Sequence, residues 1–456
     1  MPFLDDHYLL SGDTAAHLYA EVADLPIIDP HNHADVREIC EDRNYTDIWQ
    51  VEAATDHYVW SALRKRGVPE NLITGSAPNR DKWLALAAVF DELIGNPTYE
   101  WIHLDLKRRL GIDHLLGAAT GAAIWDATLR VLQQPDMRPQ ALLHAMKVEH
   151  ICSTDDPVDR LEYHQRLAAA NLPTQVHPTF RPDKAMNIFK PDWRDYVTRL
   201  EARVGSPFRS VADLIAGLRV THDYFAAHGC LASDHGVHTP CGYQVDAAEA
   251  DTVFRKARDG RRLERAETVA FMSYVLNEVA EMDAAKGWVF QLHLGCVRDV
   301  RDTLARSIGP DSGGDISDHT IDIVTPLLPF LNRFDGRLKT VLYALDPAHQ
   351  PSLATLSRGF GADVSLGSAW WFNDTPVGMR RQLEYIGSVD MLMNFAGMVS
   401  DSRKLLAYGS RHEMFRRVLC DVVGTMVDRG QMPAHLAERL VCHLAYERPK
   451  HLFGFR

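Results

Sequence analysis

The chain has 456 residues, 46% of them hydrophobic and 24% charged, and a formal net charge of −12 spread without a basic block or stripe. That composition is of a globular protein with a sizeable core, and the missing cationic footprint argues against a nucleic-acid partner, while a small anionic substrate stays open. The start, "MPFLDDHYLL", has no basic region followed by a long apolar run, no window reaches the roughly 18 apolar residues of a membrane span, and the seven scattered cysteines form no C-x-x-C pair. The expectation is a cytoplasmic protein with reduced thiols and no membrane partner.

In chain order, short apolar runs rich in β-branched residues read as buried strands: "LPIID" (25–29), "VEHICST" (148–154), "PTQVHPT" (173–179), "GCLASD" (229–234), "WVFQLHLG" (288–295), "KTVLYAL" (339–345), "ADVSLG" (362–367) and "FAGMVSD" (395–401). Helix-length segments separate them, which predicts an α/β fold of the (β/α)8 TIM-type barrel class. The spacing between the first two runs is far too long for one crossover helix. Inside it, "NRDKWLALAAVFDELIGNP" places Trp83, Leu86, Ala87, Phe90, Leu93 and Ile94 on one helical face, with Asn79 as its cap and Gly95 and Pro97 at its end. We therefore expect one domain over 1–456, interrupted by a helical insertion or lid at about 36–146, with C-terminal helices at about 404–456.

Barrels of this class carry their chemistry at the C-terminal ends of the strands. His31 and His33, in "IIDPHNH", follow the first run directly. With 22 histidines in the chain, random placement gives roughly one such pair, so the company they keep decides their reading. Arg181 follows the third run, Asp234 and His235 end the fourth, His293 and Arg298 end the fifth, Trp370 and Trp371 follow the seventh, and Asp401 and Arg403 end the eighth. Imidazoles and a carboxylate converging from several strands suit a divalent metal: His31, His33, His293 and Asp401 are the candidate ligands. Arg181, Arg298 and Arg403, as guanidinium forks, suit a carboxylate substrate, with structural ion pairs as the alternative. Trp370 and Trp371 read either as a sugar-stacking wall or as packing. Asp234 and His235 read either as a pair orienting the site or as a structural pair.

With these residues assembled, the chain resembles the uronate isomerase (glucuronate isomerase) family of the amidohydrolase superfamily. The likeness runs nearly end to end and includes "PIIDPHNH", "TDHYVWSALRKRGV", "STDDP", "FRPDKAM", "ASDHG", "QLHLG", "GSAWWFND" and "GMVSDSRKLLAY". The resemblance implies reversible conversion of D-glucuronate to D-fructuronate and of D-galacturonate to D-tagaturonate, by proton transfer between C2 and C1 through a cis-enediol. It implies His31 and His33 as metal ligands, Asp401 as ligand or base, and His57 and Tyr58 of "DHYVW" as catalytic residues on an insert that closes over the barrel mouth. One divalent ion is expected, zinc with manganese as the alternative and weakly bound or dispensable, and no organic cofactor; whether the chain forms a homo-oligomer stays open. Three departures stand out: Asn32 between the histidines, where the family often has Cys; Asp346 after the sixth run, where Asn is usual; and no lysine after the fourth run to carry a bridging carbamate. A metal-dependent hydrolase of the same superfamily, or a sugar-acid binder without turnover, are the alternatives.

Overall fold

The computed structural model describes residues 3–456. Among them are nine strands: β1 (Ile27–Asp29), β2 (Val148–Cys152), β3 (Gln175–His177), β4 (Ala232–Val237), β5 (Val289–Leu294), β6 (Cys296–Val297), β7 (Ile316–Ser317), β8 (Lys339–Ala344) and β9 (Val364–Leu366). They form a parallel sheet β1-β2-β3, a parallel sheet β4-β5-β8-β9 and a short antiparallel ladder β6-β7. The architecture is mixed α/β. Phe180 bridges the two parallel sheets, its amide bonding to the Ala232 carbonyl at 3.2 Å and its carbonyl accepting from the Asp234 amide at 3.0 Å.

On the other side, the expected eighth strand is not a regular strand. Gly397 (φ +96°) and Asp401 (φ +50°) break the extended backbone. The amides of Val399 and Ser400 bond to the Ser368 hydroxyl and the Asp29 carboxylate instead of a ladder. The segment still spans the gap, since Ala396 donates to the Leu366 carbonyl at 2.9 Å and Asp401 to the His31 carbonyl at 3.2 Å.

Alternation along the strands divides the core. In β5, Phe290, Leu292 and Leu294 face a helical layer that includes Val275, Leu276 and Val279 of the Arg265–Lys286 helix. Val289 belongs instead to an inner cluster with Ile28, Ala232, Val341 and Tyr343, joined by Leu452, Phe453 and Phe455 of the C-terminus. The fourth run is centred three residues too early in the sequence reading, so Asp234 and His235 lie within β4 rather than at its end.

Between β1 and β2 the chain is helical, with elements from Val36–Glu41 to Pro139–Ala145 around their own core, which includes Trp49, Trp83, Leu86 and Phe90. The helix starting at Asn79 is present over Asn79–Val89, but Asn79 is not its cap. Pro78 occupies that position, and the Asn79 amide reaches Asp47 at 2.9 Å. The chain leaves helical geometry before Ile94, which is 71% exposed rather than on the buried face. Among the described residues no helix is long and apolar enough to cross a membrane.

Candidate active site

A cavity of about 830 Å³ opens where the strand ends, the β6-β7 ladder and the helical segment after β1 meet. His31 and His33 enter it from the turn after β1. That turn is held by Asn32, whose buried side chain bonds to the Ala34 amide, the Tyr408 hydroxyl and the Asp29 carbonyl. Asn32 therefore points away from the cavity, as expected of a residue between two inward histidines, and fixes their spacing. Asp346, the second departure, accepts from the Ala348 amide and starts a short turn.

Asp401 Oδ1 lies 3.1 Å from both His31 Nε2 and His33 Nε2, and its Oδ2 accepts from the Trp370 indole at 2.8 Å. Asp401 has a positive φ, a conformation aspartate tolerates better than most side chains. Burial opposes its ionisation, but the bonds to His31 and His33 outweigh it and hold the carboxyl well below the usual carboxylate range. A second trio shares His31: Asp234 Oδ2 stands 3.7 Å from His31 Nδ1, and Asp234 Oδ1 takes a 2.7 Å bond from His293 Nδ1. Burial pushes His293 down to about 4, against the pull of Asp234, so its imidazole is neutral, the form that coordinates metals. His293 also stacks on Tyr343 with ring centres 4.2 Å apart.

The two trios differ in what already neutralises them. Arg181 sits 2.9 Å from Asp234 and 2.8 Å from Asp183. Gly236 makes room for it: a Cβ there would stand 2.4 Å from the Arg181 guanidinium. Asp234 is thus paired with an arginine, whereas among the described residues no guanidinium or ammonium is paired with Asp401. The donor chemistry fits one divalent ion at His31, His33 and Asp401, with the unpartnered His293 Nε2 buried nearby.

All three predicted arginines line the cavity, and all three are also ion-paired: Arg181 as above, Arg298 with Asp315 at 2.7 Å and Arg403 with Asp311 at 2.7 Å. Both Asp311 and Asp315 come from the connection joining β6 to β7, which the sequence reading did not resolve because the strands are two residues long. Arg298 and Arg403 are only partly buried and keep unused N–H donors. Arg298 also lies over the Trp371 ring at 5.3 Å. Trp370 and Trp371 are buried at the cavity wall, Trp370 tied to Asp401.

His235 does not join Asp234 at the site. Being next to it in β4, it points to the opposite face, where it bonds to Ser233 Oγ at 2.9 Å and stacks on Phe290.

His57 and Tyr58 begin the His57–Lys65 helix, capped by Asp56, and both face the cavity. His57 is 4.0 Å from Asp311. The Tyr58 hydroxyl donates to Asp374 at 2.7 Å, and the other Asp374 oxygen receives Arg411. Arg411 lies over the Tyr58 and Trp101 rings. Burial, then the Asp374 charge, keep the phenol protonated far above its ordinary range despite Arg411. Asp374 and Arg411 were missed. They lie in the quoted "GSAWWFND" and just beyond "DSRKLLAY", where nothing local separates them from surface charges.

A sequence model of glucuronate isomerase matches residues 1–453. The uronate isomerase of Thermotoga neapolitana is 49% identical over 451 residues, covering 99% of both chains. The crystal structure of uronate isomerase from Thermotoga maritima superimposes with a TM-score of 0.97 at 49% identity, over 99% of this chain and 100% of that one. That of glucuronate isomerase from Caulobacter crescentus gives 0.94 at 28% identity, over 99% and 97%.

Proposed function

The chain belongs to the glucuronate isomerase family, and we propose that it interconverts D-glucuronate with D-fructuronate and D-galacturonate with D-tagaturonate. The observation that carries this reading is one cavity that joins a His31–His33–Asp401 donor trio, a protonated tyrosine and two arginines with spare donors. We read the two parallel sheets and the 395–401 segment as a closed (β/α)8 barrel within a single domain, and the helices at about 36–146 as its lid. Zinc suits the donor set at His31, His33 and Asp401, with His293 as a further ligand and manganese as the alternative. When bound, the ion polarises sugar oxygens and acidifies the carbon-bound proton.

The chain's own residues do the rest. Arg298 and Arg403 hold the C6 carboxylate and so fix which carbon lies near Asp401. Arg181, already shared between two carboxylates, acts on the substrate less directly, by keeping Asp234 ionised. Asp401 takes the C2 proton in a site where His31 and His33 make it a weak base. Tyr58, protonated and backed by Asp374, passes a proton between the C1 and C2 oxygens. His57 assists ring opening from the same helix. Trp370 and Trp371 wall the cavity and exclude water.

The test is NMR of the protein in heavy water with each uronate, with and without added zinc. Ketouronate carrying deuterium at the exchanged carbon is the expected product. A folded, metal-loaded protein giving none from either sugar would return the choice to hydrolysis or binding alone. Arg403→Ala is expected to raise KM by roughly tenfold to a hundredfold with a smaller change in kcat, the loss of one charge-assisted contact. An unchanged KM removes Arg403 from the carboxylate grip.

A further inference from the structure

Lys404 stands at the end of the turn that begins with Asp401 and carries Arg403, and it is buried. Its ammonium faces three carboxylates from separate parts of the helical segment after β1: Glu52 at 2.8 Å, Asp56 at 3.5 Å and Asp105 at 3.8 Å. All three acids are buried, and Glu52 Oε1, Asp56 Oδ2 and Asp105 Oδ2 have no hydrogen-bond partner. Asp56 is also the cap of the His57–Lys65 helix, accepting from the Tyr58 and Val59 amides. One ammonium therefore ties the Asp401–Arg403 turn to the start of the helix that presents His57 and Tyr58.

We propose that Lys404 is a positioning residue that sets the distance between these two halves of the site, and that Glu52 and Asp105 share one proton in the working protein. The catalytic part of this inference rests on the isomerase reading above. The charge balance favours it: Lys404 answers one of the three carboxylates and Arg411 faces Asp56, so with Glu52 and Asp105 both ionised one buried charge is left over, and such a group takes up a proton instead. A metal is not the missing charge, because among the described residues both groups of three donors close enough for an ion contain His31. Burial first, then the Glu52 charge, push the Asp105 carboxyl up to about 8, while Lys404, the Ser410 hydroxyl and Arg109 pull it down. Burial also raises Glu52, with Asp56 adding to the effect and Lys404 opposing it. Arg411 faces Asp56 from the Ala407–Asp428 helix.

The sign follows from the raised value. Below about pH 8 the pair keeps its proton and Lys404 is held. Above it, Asp105 ionises: Lys404 attracts the new charge while Glu52 repels it, so the seating of the two acids around the ammonium shifts and kcat/KM should fall on the alkaline side. For the wild type we expect kcat/KM at pH 9 to be several-fold below that at pH 7, and for Asp105→Asn, which imitates the protonated acid, a ratio near one. Lys404→Met should lower kcat at least tenfold at pH 7 while metal content and KM stay within about twofold, and Lys404→Arg should recover part of the loss. Infrared difference spectra of the same samples, which do not depend on catalysis, should show at pH 7 one buried protonated carboxyl band in the wild type that Asp105→Asn lacks. A folded Lys404→Met with wild-type kcat, the same pH 9 to pH 7 ratio in Asp105→Asn as in the wild type, or no such infrared band overturns the proposal. Loss of isomerisation in the wild type itself counts against the isomerase reading, and the infrared band then decides the shared proton alone.

Discussion

Asp401→Asn is expected to lower turnover on the order of 10³-fold or more, because it removes a ligand and the proposed base together. Asp401 Oδ1 is the point where His31 and His33 converge at 3.1 Å. An asparagine could still accept from both through its oxygen, but it carries no charge toward an ion and offers no base. Its nitrogen would also leave the Trp370 indole, now 2.8 Å from Oδ2, without its acceptor if the amide turned the wrong way. The measurement is kcat by NMR beside metal content on the same protein. Turnover within tenfold of the wild type with full metal content would free Asp401 of the role of base.

Tyr58→Phe carries the second large effect, a fall in kcat of roughly 10²- to 10⁴-fold with KM little changed. The ring keeps its place, since Trp101 packs edge-on at 5.3 Å and Arg411 lies over its face at 5.2 Å, and neither contact needs the hydroxyl. What disappears is the proton that bonds to Asp374 at 2.7 Å. Asp374→Asn should show the same direction with a smaller loss, as it keeps an acceptor for Tyr58 but weakens the pull of Arg411 on the pair. A Tyr58→Phe protein with normal kcat would remove the hydroxyl from the proton path.

The residues that were legible in the sequence share one property: their position follows from local period. His31 and His33 are two apart at the end of an apolar run, so alternation brings both to one side. His293 follows by the same rule from a long apolar run, whereas Arg298 lies past Gly295, whose positive φ ends the alternation, and only its nearness to the strand end pointed to it. The rule also separates Asp234 from His235, which sequence reading kept together as one candidate pair. The eighth run was located by composition but not its geometry, because Gly397 and Asp401 adopt positive φ values that an apolar run does not announce.

The sequence by itself determined the family, the α/β class, the long helical segment after the first strand and the presence of His31, His33, Arg181, His293, Arg298, Asp401 and Arg403 at the cavity, because these depend on motif, period and order. Only the tertiary structure decided the partners. Arg403 with Asp311, Tyr58 with Asp374 and Arg411, and Lys404 with Glu52, Asp56 and Asp105 join residues far apart in the chain. An ionic contact leaves no periodic trace, and its strength depends on burial and distance, which exist only once the chain has closed around the site.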